Sequence, residues 1–107
     1  MFTRIVELTT KPGKNEQLSA TINDKVLPIL KKQKGFVDEM VFVSDKGDNR
    51  VLALSFWNTK EDAEQYQRTG YSNVQETVRP LLDTEPVVRT YEVHTSTTHK
   101  IAAGKAA

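Results

Sequence analysis

The chain has 107 residues, 15 basic against 14 acidic, with no cysteine and a formal net charge of +1. That length suits one domain with one core, which buries roughly two-thirds of the surface its unfolded chain exposes. The balanced charge forms no basic stripe and argues against nucleic acid as a partner, while the missing cysteines exclude disulfides, thiolate metal sites and a cysteine nucleophile.

Residues 2–9 read as a strand rich in Phe, Ile, Val, Leu and Thr. Their early charges do not suit a signal peptide, and no later apolar run approaches the ~20 residues of a membrane helix. A cytoplasmic protein with no membrane partner is the expectation, to which the lack of cysteine adds a little. Lys11-Pro12-Gly13-Lys14 marks a turn. From about 14 to 33 the apolar residues Leu18, Ile22, Val26, Ile29 and Leu30 make one helical stripe. Pro28 sits inside that stripe and predicts a kink or a weakened last turn. Lys31, Lys32 and Lys34 before Gly35 are a helix-ending signal.

Residues 36–44 and 50–57 read as two strands joined by the polar hairpin Asp45-Lys46-Gly47-Asp48-Asn49. Thr59 with Asp62, or Asn58 with Glu61, then resembles a capping box that opens a second helical region. Ala63 and Tyr66 share its inner side, Gly70 breaks it, and Tyr71, Val74, Val78, Leu81 and Leu82 resume it until Pro80 disturbs the end. Residues 85–94 read as the last strand. The tail, 95–107, is small and polar, and is expected either to be poorly held or to wrap a partner subunit.

The order β-α-β-β-α-β predicts an α+β, ferredoxin-like domain over residues 1–94, with a four-stranded antiparallel sheet and both helical regions on one face. Alternation in the second strand sends Phe36, Met40 and Phe42 one way and Val37, Val41 and Val43 the other. In the third, Leu52, Leu54 and Phe56 oppose Val51, Ala53 and Trp57. Both faces are apolar, although a sheet wet on one side alternates apolar with polar. A homodimer that covers the second face is the simplest resolution.

Three stretches carry a family resemblance. They are Thr9-Thr10-Lys11-Pro12-Gly13-Lys14, Val26-Leu27-Pro28-Ile29-Leu30 followed by Lys34-Gly35-Phe36, and Ser55-Phe56-Trp57-Asn58-Thr59-Lys60-Glu61-Asp62-Ala63-Glu64-Gln65-Tyr66. In this order the chain resembles the antibiotic biosynthesis monooxygenase family across about residues 2–94. The resemblance implies two sheets paired as a dimeric α/β barrel and a pocket between sheet and helices in each subunit. Some members oxidise polyphenolic or anthrone-like substrates with O2 and no cofactor. Others degrade haem or act on small signalling metabolites. The haem-degrading branch carries a tryptophan and a histidine where spacing from Trp57 places Tyr66 and Glu76. Its first-strand asparagine is missing from Val6-Glu7-Leu8, and an axial iron ligand is lacking. The quinone-forming branch is similar in having a tryptophan, a tyrosine, an asparagine and an arginine, for which Trp57, Tyr66, Asn58 and Arg79 are of the right type.

Cofactor-free oxygenation needs a site that binds a flat apolar ring, holds its anion and excludes water. Trp57 is a candidate stacking wall, Arg79 a candidate anion holder, and Tyr66 or Asn58 a hydrogen-bond donor to an oxyanion. Glu76 or His94 is the candidate base. Each also has a plain structural job: Trp57 and Tyr66 as core, Asn58 as helix cap, Arg79 paired with a surface carboxylate, Glu76 solvated, His94 beside the tail. His99 is expected to do nothing. His94 and His99 make no metal signature, and the isolated glycines make no phosphate loop, so no metal, nucleotide or flavin is expected. The expected function is cofactor-independent monooxygenation of a small aromatic or polyketide-like molecule. The alternatives are a non-catalytic dimeric module that binds or senses a small molecule, and an isomerase acting on a small metabolite.

Overall fold

The computed structural model describes residues 1–101. Positions 102–107, the far end of the tail, lie outside the described residues. Strand β1 (Phe2–Thr9) leads through the Pro12-Gly13 turn into a helical arm made of α1 (Asn15–Thr21), a π-helical turn (Ile22–Val26) and α2 (Leu27–Lys31). Strands β2 (Phe36–Val43) and β3 (Arg50–Trp57) form the hairpin. The second arm is α3 (Lys60–Thr69) and α4 (Tyr71–Val78) with a closing 3-10 turn (Arg79–Leu81), and β4 (Val87–Glu92) ends the sheet. The strand order is β2-β3-β1-β4, antiparallel throughout. This is the ferredoxin-like α+β fold.

The first arm shows how Pro28 is accommodated. A proline ring collides with the carbonyl four residues back in a regular helix, and it has no N–H to donate. Here the backbone N–H of Leu27 reaches back five residues to the Ile22 carbonyl, which widens the turn just before the proline. Pro28 then falls in the first turn of α2, where a missing donor costs nothing. The proline is thus absorbed by a π turn ahead of it.

The second arm begins at Thr59, whose Oγ1 accepts the Asp62 backbone N–H at 3.1 Å. Its start is docked on the end of the first arm, because the Asn58 N–H donates to the Gly35 carbonyl at 2.8 Å. Gly35 has a φ of +80°, and a Cβ there would run into the Asp62 side chain. Only glycine satisfies both demands. The arms share one face of the sheet and close a core of Leu18, Ile22, Val26 and Leu30 against Val6, Leu8, Val51 and Trp57.

Two expectations about the strands change. The ladder shifts between Phe36 and Asp38, so Val37 is an extra, bulged residue. The bulge turns Phe36 to the helix side, beside Val41 and Val43, while Met40 and Phe42 stay on the other face. Strict alternation cannot foresee that slip. Strand β4 is also shorter than 85–94, and every residue in it is exposed.

The face away from the helices carries Ile5, Met40, Phe42, Leu52, Leu54, Phe56 and Tyr91. Phe42 and Tyr91 are each 49% exposed. One corner is covered by the chain itself. A bridge between Ser96 and Ile101 folds residues 96–101 into a hook, and His99 lies on Phe56 with ring centroids 5.6 Å apart. Its Nε2 is 3.5 Å from Asp38 Oδ2, and its side chain is only 15% exposed. Among the described residues no helix is long and apolar enough to cross a membrane.

Candidate functional site: a cleft between sheet and helices

On the helix-facing side of β1, β2 and β3 the polar residues fall in one row. Glu39 on β2 faces Ser55 on β3, Ser55 faces Arg4 on β1, and Arg4 faces Thr90 on β4. Glu39, Ser55 and Arg4 of this row line a small, half-open cleft. Val6, Ala53, Ile22, Val26, Val74 and Val78 supply apolar walls, and the π turn contributes the valine and isoleucine of the first arm. Apolar walls with few polar groups are the usual composition of a small-molecule site.

Arg4 dominates the cleft. It is 3% exposed, and its guanidinium sits in the corner of two tyrosine rings, 5.0 Å from the centre of Tyr66 and 4.6 Å from that of Tyr71. The two rings meet edge to face. One Arg4 nitrogen donates to the Gln67 side-chain oxygen. Among the described residues Arg4 makes no ion pair. Each cation–π contact offsets about 0.5–2 kcal/mol. Burial of an ion costs several kcal/mol even after relaxation. The charge is therefore only partly compensated. Burial lowers the Arg4 pKa, an effect that the two tyrosines oppose, yet arginine stays protonated in proteins.

Tyr66 is fixed from behind. Trp57 stacks on it at 5.0 Å, Phe36 meets Trp57 edge-on at 5.7 Å, and the Trp57 indole N–H donates to Ser55 Oγ at 2.9 Å. Gly70 gives the Tyr66 ring room, since a Cβ there would stand 3.0 Å from it. Burial pushes the Tyr66 hydroxyl up to about 12, against the pull of Arg4. It remains a protonated donor at neutral pH. At the far end of the row the Glu39 carboxyl is raised above its ordinary range, first by burial and then by neighbouring Asp38. A raised carboxyl and a buried cation in one cleft are a recognised pattern of reacting sites.

The five residues singled out in the sequence go to different places. Trp57 and Tyr66 come together, with Tyr66 lining the cleft and Trp57 behind it. Asn58 is exposed, and Thr59 is the helix cap. Arg79 is exposed in an ion pair with Glu76 at 2.6 Å and lines a separate groove with Asp83 and Glu85. His94 is exposed, with Nε2 3.8 Å from Glu92. Arg4, Glu39, Ser55 and Tyr71 were not foreseen. A signal for two of them was present: alternation puts Arg4 on the face of Val6 and Leu8, and Glu39 on that of Val41 and Val43. A charge at an inward strand position stands out.

Solved structures similar to this one include SnoaB, a cofactor-independent oxygenase from Streptomyces nogalater, with a TM-score of 0.74 at 14% identity over 90% of this chain and 95% of that one. A protein of unknown function from Nitrosomonas europaea gives 0.73 at 16% identity, over 96% and 95% of the two chains. A Mycobacterium tuberculosis protein gives 0.70 at 14% identity, over 90% and 97%. Likeness at these identities concerns the fold. No curated protein matches the sequence. The family model for antibiotic biosynthesis monooxygenase matches residues 1–74, and the chain belongs to that family.

Proposed function

We propose that this chain oxidises a small aromatic or polyketide-like molecule with O2 in the cleft between sheet and helices, without a cofactor, as a homodimer. The observation that carries the reading is the row Glu39–Ser55–Arg4 on the floor of an otherwise apolar cleft, with the Tyr66 hydroxyl beside it. Such a floor accepts a flat ring and has one charged place for an oxygen anion. An electron-rich anion passes one electron to O2, the two radicals combine at carbon, and the hydroperoxide loses water. A methylene and O2 thus become a carbonyl and water. Tyr66 donates to the developing oxyanion, and Trp57 holds its ring. Family membership and the fold shared with SnoaB support this reading.

Oxygen uptake in air with anthrone and hydroxylated naphthalenes tests it. Uptake above the protein-free rate is expected. Tyr66→Phe is expected to lower it by about a hundredfold, as loss of an oxyanion donor does. Arg79→Ala, outside the cleft, is expected to change it little. A second reading, isomerisation through a base, is favoured by the raised carboxyl of Glu39. Turnover that persists under argon selects it. A compound that raises Tm and is recovered unchanged indicates a binding module.

A further inference from the structure

We infer that Arg4 seats a single anionic oxygen of an otherwise apolar ring compound, and that Glu39 takes the proton whose loss creates that anion. The inference rests on the cleft being the reacting site and assigns the acid–base roles within it. Three observations lead to it. Arg4 is buried without a carboxylate among the described residues, and Gln67 takes a hydrogen bond from only one of its nitrogens. A buried cation in this position lacks a counter-charge that a bound anion brings. Apart from Gln75, the residues that line the cleft around the polar row are aliphatic or aromatic, which selects rings over sugars or phosphates. Glu39 stands on the same floor two strands away, and no ion pair ties it down.

The separation suits the chemistry. Two strand spacings are roughly 10 Å between backbones, which leaves room for a ring whose oxygen meets Arg4 while its acidic hydrogen meets Glu39. Ser55 lies between them but already accepts the Trp57 indole N–H, so it is a neutral spacer. In the step, a C–H or O–H bond of the ligand breaks and an O–H bond forms on Glu39. The electron pair moves through the ring to the oxygen held at Arg4. The negative charge leaves one end of the row and arrives at the other, so the cleft's net charge does not change. The aspartate beside Glu39, Asp38, points to the opposite face, where His99 meets it.

The test is exchange of the methylene hydrogens of anthrone for deuterium in heavy water under argon, with the full chain. Acceleration is expected, and about a hundredfold reduction is expected both from Glu39→Gln, through loss of the base, and from Arg4→Met, through loss of the charge that holds the anion. Calorimetry with 2-naphthoate and 2-naphthamide reads the anion site directly. The chain is expected to prefer the naphthoate by about tenfold, Arg4→Met to lose that preference while keeping the naphthamide affinity, and Arg4→Lys to restore part of it. If both ligands weaken alike in a folded Arg4→Met chain, Arg4 is structural and the inference is overturned. Should Arg4→Met not fold, Arg4→Lys decides: equal affinity for the two ligands overturns the inference. Exchange under argon without oxygen uptake in air keeps the inference and sinks the oxygenase reading. Oxygen uptake unaffected by either Arg4→Lys or Glu39→Gln does the reverse.

Discussion

Arg4 and Glu39 illustrate how a strand hides chemistry among its core residues. Along their own strands both lie on the face of apolar residues, Phe2 and Val6 beside Arg4 and Val41 beside Glu39, and both have perturbed proton affinities because burial penalises the charged form. For Glu39 the consequence for stability has a definite sign. Its folded-state pKa is raised, so the folded chain holds the proton more tightly than the unfolded one. Its contribution to stability is full below the unfolded pKa and is lost as pH rises through the folded value. Glu39→Gln is expected to leave the urea midpoint almost unchanged near about pH 3 and to raise it at about pH 7, relative to the parent. An equal shift at both pH values would show that the carboxyl is not buried enough to matter.

At the level of elements, the helical arms are set by local signals that tertiary contacts then adjust. Thr59 caps α3 through Asp62, and Gly35 lets that cap dock against the end of α2. Thr59→Ala is expected to cost about 1 kcal/mol, read from urea unfolding, with Thr59→Ser close to the parent. Loss of less than a few tenths would mean that the docking at Gly35 holds α3 without its cap. The first arm's π turn is the counterpart. Pro28 makes a regular helix impossible there, and the wide turn that absorbs it also presents Ile22 and Val26 to the cleft. Elements whose signals are local, such as caps, turns and the proline, were legible in the chain. The bulge at Val37 was not, because it is a property of the pairing between β2 and β3 rather than of either strand.

For the whole molecule, the open face of the sheet is the main unsatisfied surface. Met40, Phe42, Leu52, Leu54 and Ile5 form its middle, and Glu7, bridged to Arg50 at 3.4 Å and Arg89 at 3.0 Å, marks a polar edge. An apolar centre with a charged rim is the anatomy of an interface between subunits. The homodimer proposed above places a second copy there, with the His99 hook at the Phe56 corner. Sedimentation at micromolar concentration is expected to give a dimer, and Leu54→Glu a monomer that keeps its helical circular dichroism. A parent chain that sediments as a monomer would overturn this assembly.

Element order, the helix stripe, the inward tyrosine and the two apolar faces of β2 and β3 could be read from 107 residues. They depend on periodicity and on neighbours a few positions apart, which the chain states directly. The family was legible in the same way, because its signature lies in short stretches around turns and helix starts. The cleft was not. Arg4, Glu39, Ser55 and Tyr71 are brought together by strand register and by the fold of the second arm, across separations that no local pattern encodes. The same long-range packing left Arg79 and His94 in solvent and put Trp57 behind Tyr66. Residue type proposes a chemistry, but only the packed structure decides which side chains lose water together, and that loss is what gives a charge or a hydroxyl its reactivity.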